Sequence, residues 1–257
     1  MPATDLTLLA DAALAAGDVA LRYFKADPKV WVKDDNQGPV TEADLAVNAL
    51  LLDTLRGARP DYGWLSEETP DDTDRLKTTR QFIIDPIDGT RAFIAGTRDW
   101  SHALAVVENG EVMAGVVTLP ARGMTYAAIR GGGATLNGEP ITVTQIASLT
   151  QAHVLTTKPN LAPEHWLGGV APLFSKGFRS SLAYRLCLVA EGRFDAMLTL
   201  RPSWEWDIAA GALIVAEAMG TATDRTGAAL RFNNPHPQVN GVIAAGAVHG
   251  ALRGALI

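Results

Sequence analysis

The chain has 257 residues, 47% hydrophobic and 19% charged, enough to bury a sizeable core in one large domain or two coupled halves and unlike a disordered segment. Its 28 acidic and 22 basic side chains leave a net charge of −6 with no Lys/Arg-rich run, which excludes a nucleic-acid polymer as the natural partner. A small anionic ligand would need something locally positive to recruit it, and a bound metal ion is the simplest candidate.

In chain order, Leu6, Leu9, Ala13, Ala16, Ala20 and Tyr23 recur at three- and four-residue spacing and predict an amphipathic helix from Leu6 to Phe24. Thr41 caps a second helix that runs through Leu45, Leu51, Leu52 and Leu55 to Gly57. Strands are expected at Gln81 to Asp85, His102 to Glu108, Glu111 to Leu119 and Met124 to Ile129, with Asn109-Gly110 as a hairpin turn. Gly131-Gly132-Gly133 opens no helical pattern and reads as a turn rather than a nucleotide loop. The later part alternates: a strand from Val154 to Thr157, a helix from Leu182 to Ala190, a strand from Asp195 to Leu200, a helix from Ile208 to Met219, and a strand from Val239 to Ala245. Mixed helices and hairpins give an α+β class with layered sheets, divided near Thr142 to Gln151 into halves 1–145 and 146–257.

The one cysteine, Cys187, lies in the apolar run Leu186-Cys187-Leu188-Val189, so it is expected to pack as a small hydrophobe, and no internal disulfide can form. That usage fits a reducing cytoplasm. No apolar run approaches a membrane span, and Met1-Pro2-Ala3-Thr4-Asp5 lacks the start of a signal peptide. The protein is therefore expected in the cytoplasm.

Chemistry concentrates in Phe82-Ile83-Ile84-Asp85-Pro86-Ile87-Asp88-Gly89-Thr90. An apolar strand ends in an acid, turns through proline to a second acid, then passes glycine and threonine. Proline fixes the turn, so both carboxylates and the Ile87 carbonyl can converge, while glycine leaves the following amides open to an anion. Ser66-Glu67-Glu68 stands upstream and Trp206-Asp207-Ile208-Ala209-Ala210-Gly211 downstream. Asp207 sits in an apolar setting where an unpaired carboxylate is costly, and a cation would relieve that cost. Oxygen donors without clustered cysteine or histidine favour magnesium over zinc. The five histidines, His102, His153, His165, His236 and His249, show no metal-ligand spacing and receive no role.

Three separated motifs, Glu67-Glu68, Asp85-Pro86-Ile87-Asp88-Gly89-Thr90 and Trp206-Asp207 with Gly211, resemble the inositol monophosphatase superfamily of lithium-sensitive, magnesium-dependent phosphatases. Supporting matches span nearly the whole chain: Lys33 before Val40-Thr41-Glu42-Ala43-Asp44, Gly133-Ala134 with Asn137-Gly138, and Cys187-Leu188-Val189-Ala190-Glu191-Gly192. The resemblance implies an α/β/α/β/α sandwich and hydrolysis of a small phosphate monoester with two or three Mg2+ ions. By it, Glu67, Asp85 and the Ile87 carbonyl hold a first ion, Asp85, Asp88 and Asp207 a second, and Asp44 orders a third or its waters. Gly89 and Thr90 bind phosphate through backbone amides, and Thr90 with Glu67 positions the attacking water. The superfamily often forms dimers, so a homodimer is expected.

The substrate is less sharply written. Animal-type members carry a glutamate seven positions before the Trp-Asp aspartate, where this chain has Leu200, and the substrate segment reads Ser180-Ser181-Leu182-Ala183. Leu65-Ser66-Glu67-Glu68 and Gly89-Thr90-Arg91-Ala92-Phe93-Ile94 look more like bacterial 3'(2'),5'-bisphosphate nucleotidases. The expectation is therefore a bisphosphate nucleotidase, with inositol-1-phosphate, histidinol phosphate and a sugar bisphosphate as alternatives. Trp204 could stack on adenine and Arg201 could reach a second phosphate. An aspartyl-nucleophile phosphatase of the haloacid dehalogenase type would need acids two apart, whereas Asp85 and Asp88 are three apart. A non-catalytic relative should have lost a ligand, and none is missing.

Overall fold

A computed structural model describes residues 4–32 and 38–257. Lys33, one of the residues that carry the resemblance, lies outside the described residues. Helix α1 (Asp5–Tyr23) starts where the Thr4 hydroxyl accepts from the Thr7 amide, and it buries the Leu9, Ala13, Ala16 and Ala20 stripe. A short hairpin, β1 (Val30–Val32) and β2 (Pro39–Thr41), leads into α2 (Glu42–Ala58). Thr41 caps α2 through a reciprocal box with Asp44.

Strands β3 (Gly63–Ser66), β4 (Arg80–Asp88), β5 (Ser101–Glu108), β6 (Glu111–Leu119), β7 (Met124–Ile129), β8 (Ala134–Leu136) and β9 (Glu139–Pro140) form a seven-stranded sheet in chain order. The short helix α3 (Thr90–Ile94) interrupts them after β4. Only the β3–β4 pair is parallel. The β5–β6 hairpin turns at Asn109 and Gly110, with φ of 51° and 83°, the double positive φ that Asn-Gly tolerates best.

The second half supplies β10 (His153–Leu155), β11 (Ser175–Gly177), α4 (Leu182–Ala190), β12 (Ala196–Thr199), β13 (Ser203–Trp204), α5 (Glu205–Glu217), β14 (Thr221–Thr223), β15 (Gln238–Val239), β16 (Val242–Ala245) and α6 (His249–Gly254). Five of the strands make a mixed sheet in the order β11-β10-β12-β16-β14, while β13 and β15 pair separately. The strand read as Val239 to Ala245 breaks at Gly241, whose φ of 70° splits it into β15 and β16. The last long helix, expected from Ile208, begins at Glu205, because acids are well placed in a helix's first turn.

Alternation along the strands shows the layers. Leu9, Val47 and Leu51 of α1 and α2 pack on Phe82, Ile84, Leu104 and Val116 of the seven-stranded sheet. The opposite face, with Ile83, Ala105 and Val117, packs on α4 and α5, and these meet Leu155, Met197 and Ala244 of the five-stranded sheet. Val154, Ala196, Leu198 and Ile243 then face Trp166 and Leu252 of the outer layer. The result is an α/β/α/β/α sandwich. The two inner helices approach closely at Gly211, where an added Cβ would come within 2.7 Å of the Leu186 Cβ. Cys187 is buried in this central layer. At the glycine run, the Gly131 and Gly133 amides donate to the Glu217 carboxylate at 2.8 and 2.9 Å, so the turn holds an anion of the protein itself.

Candidate metal and phosphate site

The site forms where β3 and β4 end side by side. Because these strands run parallel, Ser66 pairs with Ile84 and the Glu67 amide donates to the Ile84 carbonyl at 3.2 Å, which sets Glu67 beside Asp85. Helix α2 fixes the following turn. Asn48 accepts from the Ser66 hydroxyl at 2.7 Å and donates to the Glu68 carbonyl and the Thr69 hydroxyl.

Two carboxylates three residues apart on a regular strand point to opposite faces. Between Asp85 and Asp88 the β4–β5 pairing slips: Asp85 faces Ala103 and Asp88 faces Ser101, leaving Pro86 and Ile87 opposite His102 alone. This bulge resets the alternation and turns both acids to one side. Pro86 suits the bulge because it has no amide to pair. Its carbonyl accepts from Nδ1 of His102, a buried ring that burial pushes down to about 4 and so keeps neutral.

Among the described residues, Glu67, Asp85 and Asp207 each offer a carboxylate oxygen lying within 4.8 Å of the others. Asp207 comes from the first turn of α5, which Glu205 anchors by accepting the Asn233 and Asn234 amides at 2.6 and 2.9 Å. Asp88 stands just outside the trio, with Oδ2 accepting from the Ser181 hydroxyl at 2.7 Å and the Ala183 amide at 2.6 Å. Asp44 accepts from the Thr41 amide at 2.8 Å with one oxygen, and its other meets the Thr90 hydroxyl at 3.3 Å. That hydroxyl also lies 3.1 Å from the Ile87 carbonyl.

The electrostatics of this arrangement are unfavourable without a cation. Burial, then Glu67, Asp88, Asp207 and Asp44, push the Asp85 carboxyl well up. Burial, then Asp88 and Glu67, do the same to Asp207, against the pull of Arg201. Burial raises Asp88 to about 6, although Ser181, the Ala183 and Leu182 amides and Arg185 all favour its charged form. Both Asp85 oxygens are buried with no hydrogen-bond donor. An all-oxygen set with an unpartnered buried carboxylate fits a hard divalent cation.

Next to the acids, Gly89 has φ 95° and leads into α3, where the Ala92 and Phe93 amides donate to the Gly89 carbonyl at 2.8 and 3.1 Å and the Thr90 and Arg91 amides precede the first helical bond. A side chain at Gly89 would meet the Asp99 carbonyl at 3.0 Å, so only glycine allows the chain to turn here. Trp204 lies flat on Trp206, with centroids 4.6 Å apart and planes at 8°, and its other neighbour is His236 at 5.4 Å. Arg201 is exposed and electrostatically linked to Asp207. Leu200 is buried in the outer core with Trp166 and Leu198, so that position sends no side chain to the site.

Sequence reasoning passed over two participants. His102 holds the bulge, and only its strand register opposite Pro86 and Ile87 shows this. Arg185 is buried in the otherwise apolar run of α4, and it faces the charges of Asp88 and Asp207. A lone arginine in Leu182-Ala183-Tyr184-Arg185-Leu186-Cys187 was the available signal, of the same kind as the one that singled out Asp207.

The sequence pattern of the inositol monophosphatase family matches residues 3–257. The chain belongs to that family. Its members are phosphatases acting on small phosphate monoesters, so the chain is a hydrolase. The chain is 33% identical over 243 residues to the inositol-1-monophosphatase of Rhizobium meliloti, covering 86% of each chain. It is 34% identical over 253 residues to the 3'-phosphoadenosine 5'-phosphate phosphatase of Mycobacterium leprae, covering 91% of this chain and 86% of that one. The solved Thermotoga maritima IMPase superposes with a TM-score of 0.83 at 31% identity, covering 97% of this chain and 94% of that one. Among the described residues no helix is long and apolar enough to cross a membrane.

Proposed function

We propose that this family member is a magnesium-dependent, lithium-sensitive phosphomonoesterase whose preferred substrate is a 3'(2'),5'-bisphosphate nucleotide. The observation that carries the metal half of this reading is Asp85, with two buried oxygens, no donor, and Glu67 and Asp207 alongside. On this reading Glu67, Asp85 and the Ile87 carbonyl hold one Mg2+, and Asp85, Asp88 and Asp207 hold a second. Asp44 reaches a third ion or its waters. When bound, such ions lower the pKa of a water and neutralise charge on the departing oxygen.

The chain's own groups do the rest. The Gly89 and Thr90 amides receive the phosphate at the positive end of α3. On this reading the Thr90 hydroxyl, which lies 3.3 Å from Asp44 and 3.1 Å from the Ile87 carbonyl, orients the attacking water together with Glu67. The half 1–145 then carries the acid and phosphate motifs and the half 146–257 the substrate contacts, apart from Asp207.

The nucleotide half of the reading rests on the rim. Leu200 buries itself where an acid would meet inositol hydroxyls, and Arg201 is exposed where a second phosphate could pair with it. The names of relatives at 33% and 34% identity differ in substrate, so identity does not choose between them. Phosphate release from a panel of phosphomonoesters decides. Adenosine 3',5'-bisphosphate should give the highest kcat/KM with magnesium, a chelator should abolish turnover, and lithium should inhibit. A preference for inositol-1-phosphate overturns the substrate half, and full activity in chelator overturns the metal half.

A further inference from the structure

A cavity of about 980 Å³ opens at the edge of the five-stranded sheet, lined by the turn Thr156 to Pro163 and by Lys176, Gly177 and Phe178. It is at the upper end of the ~300–1,000 Å³ typical of ligand pockets. Its floor is rigid. The Thr156 hydroxyl and the Asn160 amide group both donate to the Leu198 carbonyl, at 3.1 and 3.0 Å, and the Leu200 amide donates to Asn160 at 3.0 Å. These bonds tie the turn to the strand end that precedes Arg201.

The lining is mostly apolar, with two cations, Lys158 and Lys176, that form no ion pair among the described residues. Phe178 is half exposed at 53% and lines the opening. The Arg185 guanidinium lies over that ring at 4.7 Å, and the same guanidinium faces Asp88 and Asp207. Arg185 thereby stands between the Phe178 wall of the cavity and the acids Asp88 and Asp207. In a chain of net charge −6, two lysines, Lys158 and Lys176, line one opening, and Arg185 lies behind its Phe178 wall.

We infer that this cavity is the recognition pocket for the alcohol part of the substrate, and that it takes a flat ring carrying a second phosphate. The ring lies against Phe178, and the second phosphate is clasped by Lys158 and Lys176. A lysine pair suits phosphate, and an aromatic face suits any base. An uncharged polyol offers neither lysine a partner. The inference deepens the phosphatase reading above and rests on it for the identity of the reacting phosphate.

The test uses a ligand that carries only the half destined for the cavity. Adenosine 5'-monophosphate is titrated calorimetrically into wild type, the double variant Lys158→Ala/Lys176→Ala, and Phe178→Ala, with adenosine as the uncharged control. Wild type should bind the monophosphate more tightly than adenosine. Losing both charge-assisted contacts should weaken it about a hundredfold, and losing the ring about tenfold. In turnover, the double variant should lose more kcat/KM on adenosine 3',5'-bisphosphate than on p-nitrophenyl phosphate, with the loss in KM. Equal affinity for the monophosphate in wild type and the double variant, or no preference over adenosine, overturns the inference even where the phosphatase reading holds. If neither ester is hydrolysed with magnesium, the magnesium-dependent nucleotidase reading fails, and the titration still decides the cavity.

Discussion

The acidic site and the cationic cavity beside it are built on opposite principles. The acids sit at buried strand and helix ends, where a bulge at Pro86, a parallel strand pair and a helix start leave each carboxylate little freedom. Lys158, Lys176 and Arg201 are exposed and reach the rim from turns and an edge strand. On the proposed reading, the phosphatase chemistry is fixed by backbone that cannot move without disturbing the core, and choice of substrate is left to side chains that can change with little effect on stability.

The sharpest way to break this contrast is to neutralise one acid. Asp85→Asn or Asp207→Asn should lower kcat/KM by about a thousandfold or more, on the order of 4 kcal/mol of transition-state stabilisation. Circular dichroism should show the fold intact, and the metal-free melting temperature should not fall, because each change removes a repelling charge. Substantial activity in either variant would remove these residues from the metal site. Thr90→Ala should come next, lowering kcat about a hundredfold with KM little changed, as expected for a group that positions the attacking water. A rise in KM alone would make Thr90 a contact to the bound substrate.

Smaller in size but specific to the acids is the pH dependence of stability. Asp85, Asp88 and Asp207 all have carboxyls raised on folding, Asp88 to about 6 from 3.8. Between those values the folded protein binds more protons than the unfolded chain, so metal-free stability falls as pH rises through that window. Saturating magnesium should oppose the loss, and its stabilising effect should be larger at pH 7 than at pH 4, by several degrees in Tm. A magnesium effect independent of pH would mean that the ion does not bind these carboxylates.

Much of this was legible in the sequence because periodicity reports burial. The Leu9, Ala13, Ala16 stripe, the hairpin at Asn109-Gly110 and the helix Leu182–Ala190 all followed from local pattern. Short pieces were not legible. Strand β3 has four residues, too few to show alternation, yet it positions Glu67. The acids stood out because a carboxylate in an apolar run needs a partner. The roles of His102 and Arg185 depend on which residue lies opposite them across a ladder or a helix interface, which is tertiary information. The cavity was invisible for the same reason, since Lys158 and Lys176 come together only when β10 and β11 pair.

Trp204 gives the smallest expected effect, and it decides which aromatic serves the substrate. Its place three residues before Asp207 makes it a natural platform for a base, but its indole already covers Trp206 at 4.6 Å, and His236 leans on it. An adenine would have to use whatever surface His236 leaves, whereas Phe178 is half exposed and lines the cavity. Trp204→Ala should therefore reduce kcat/KM for adenosine 3',5'-bisphosphate by only about threefold, less than the roughly tenfold expected for Phe178→Ala. The loss should be similar on p-nitrophenyl phosphate, because disturbing Trp206 disturbs the turn that carries Asp207 and hence every substrate alike. A loss tenfold or greater on the nucleotide alone would move the base from the cavity to Trp204, with Arg201 then the residue best placed to meet the second phosphate.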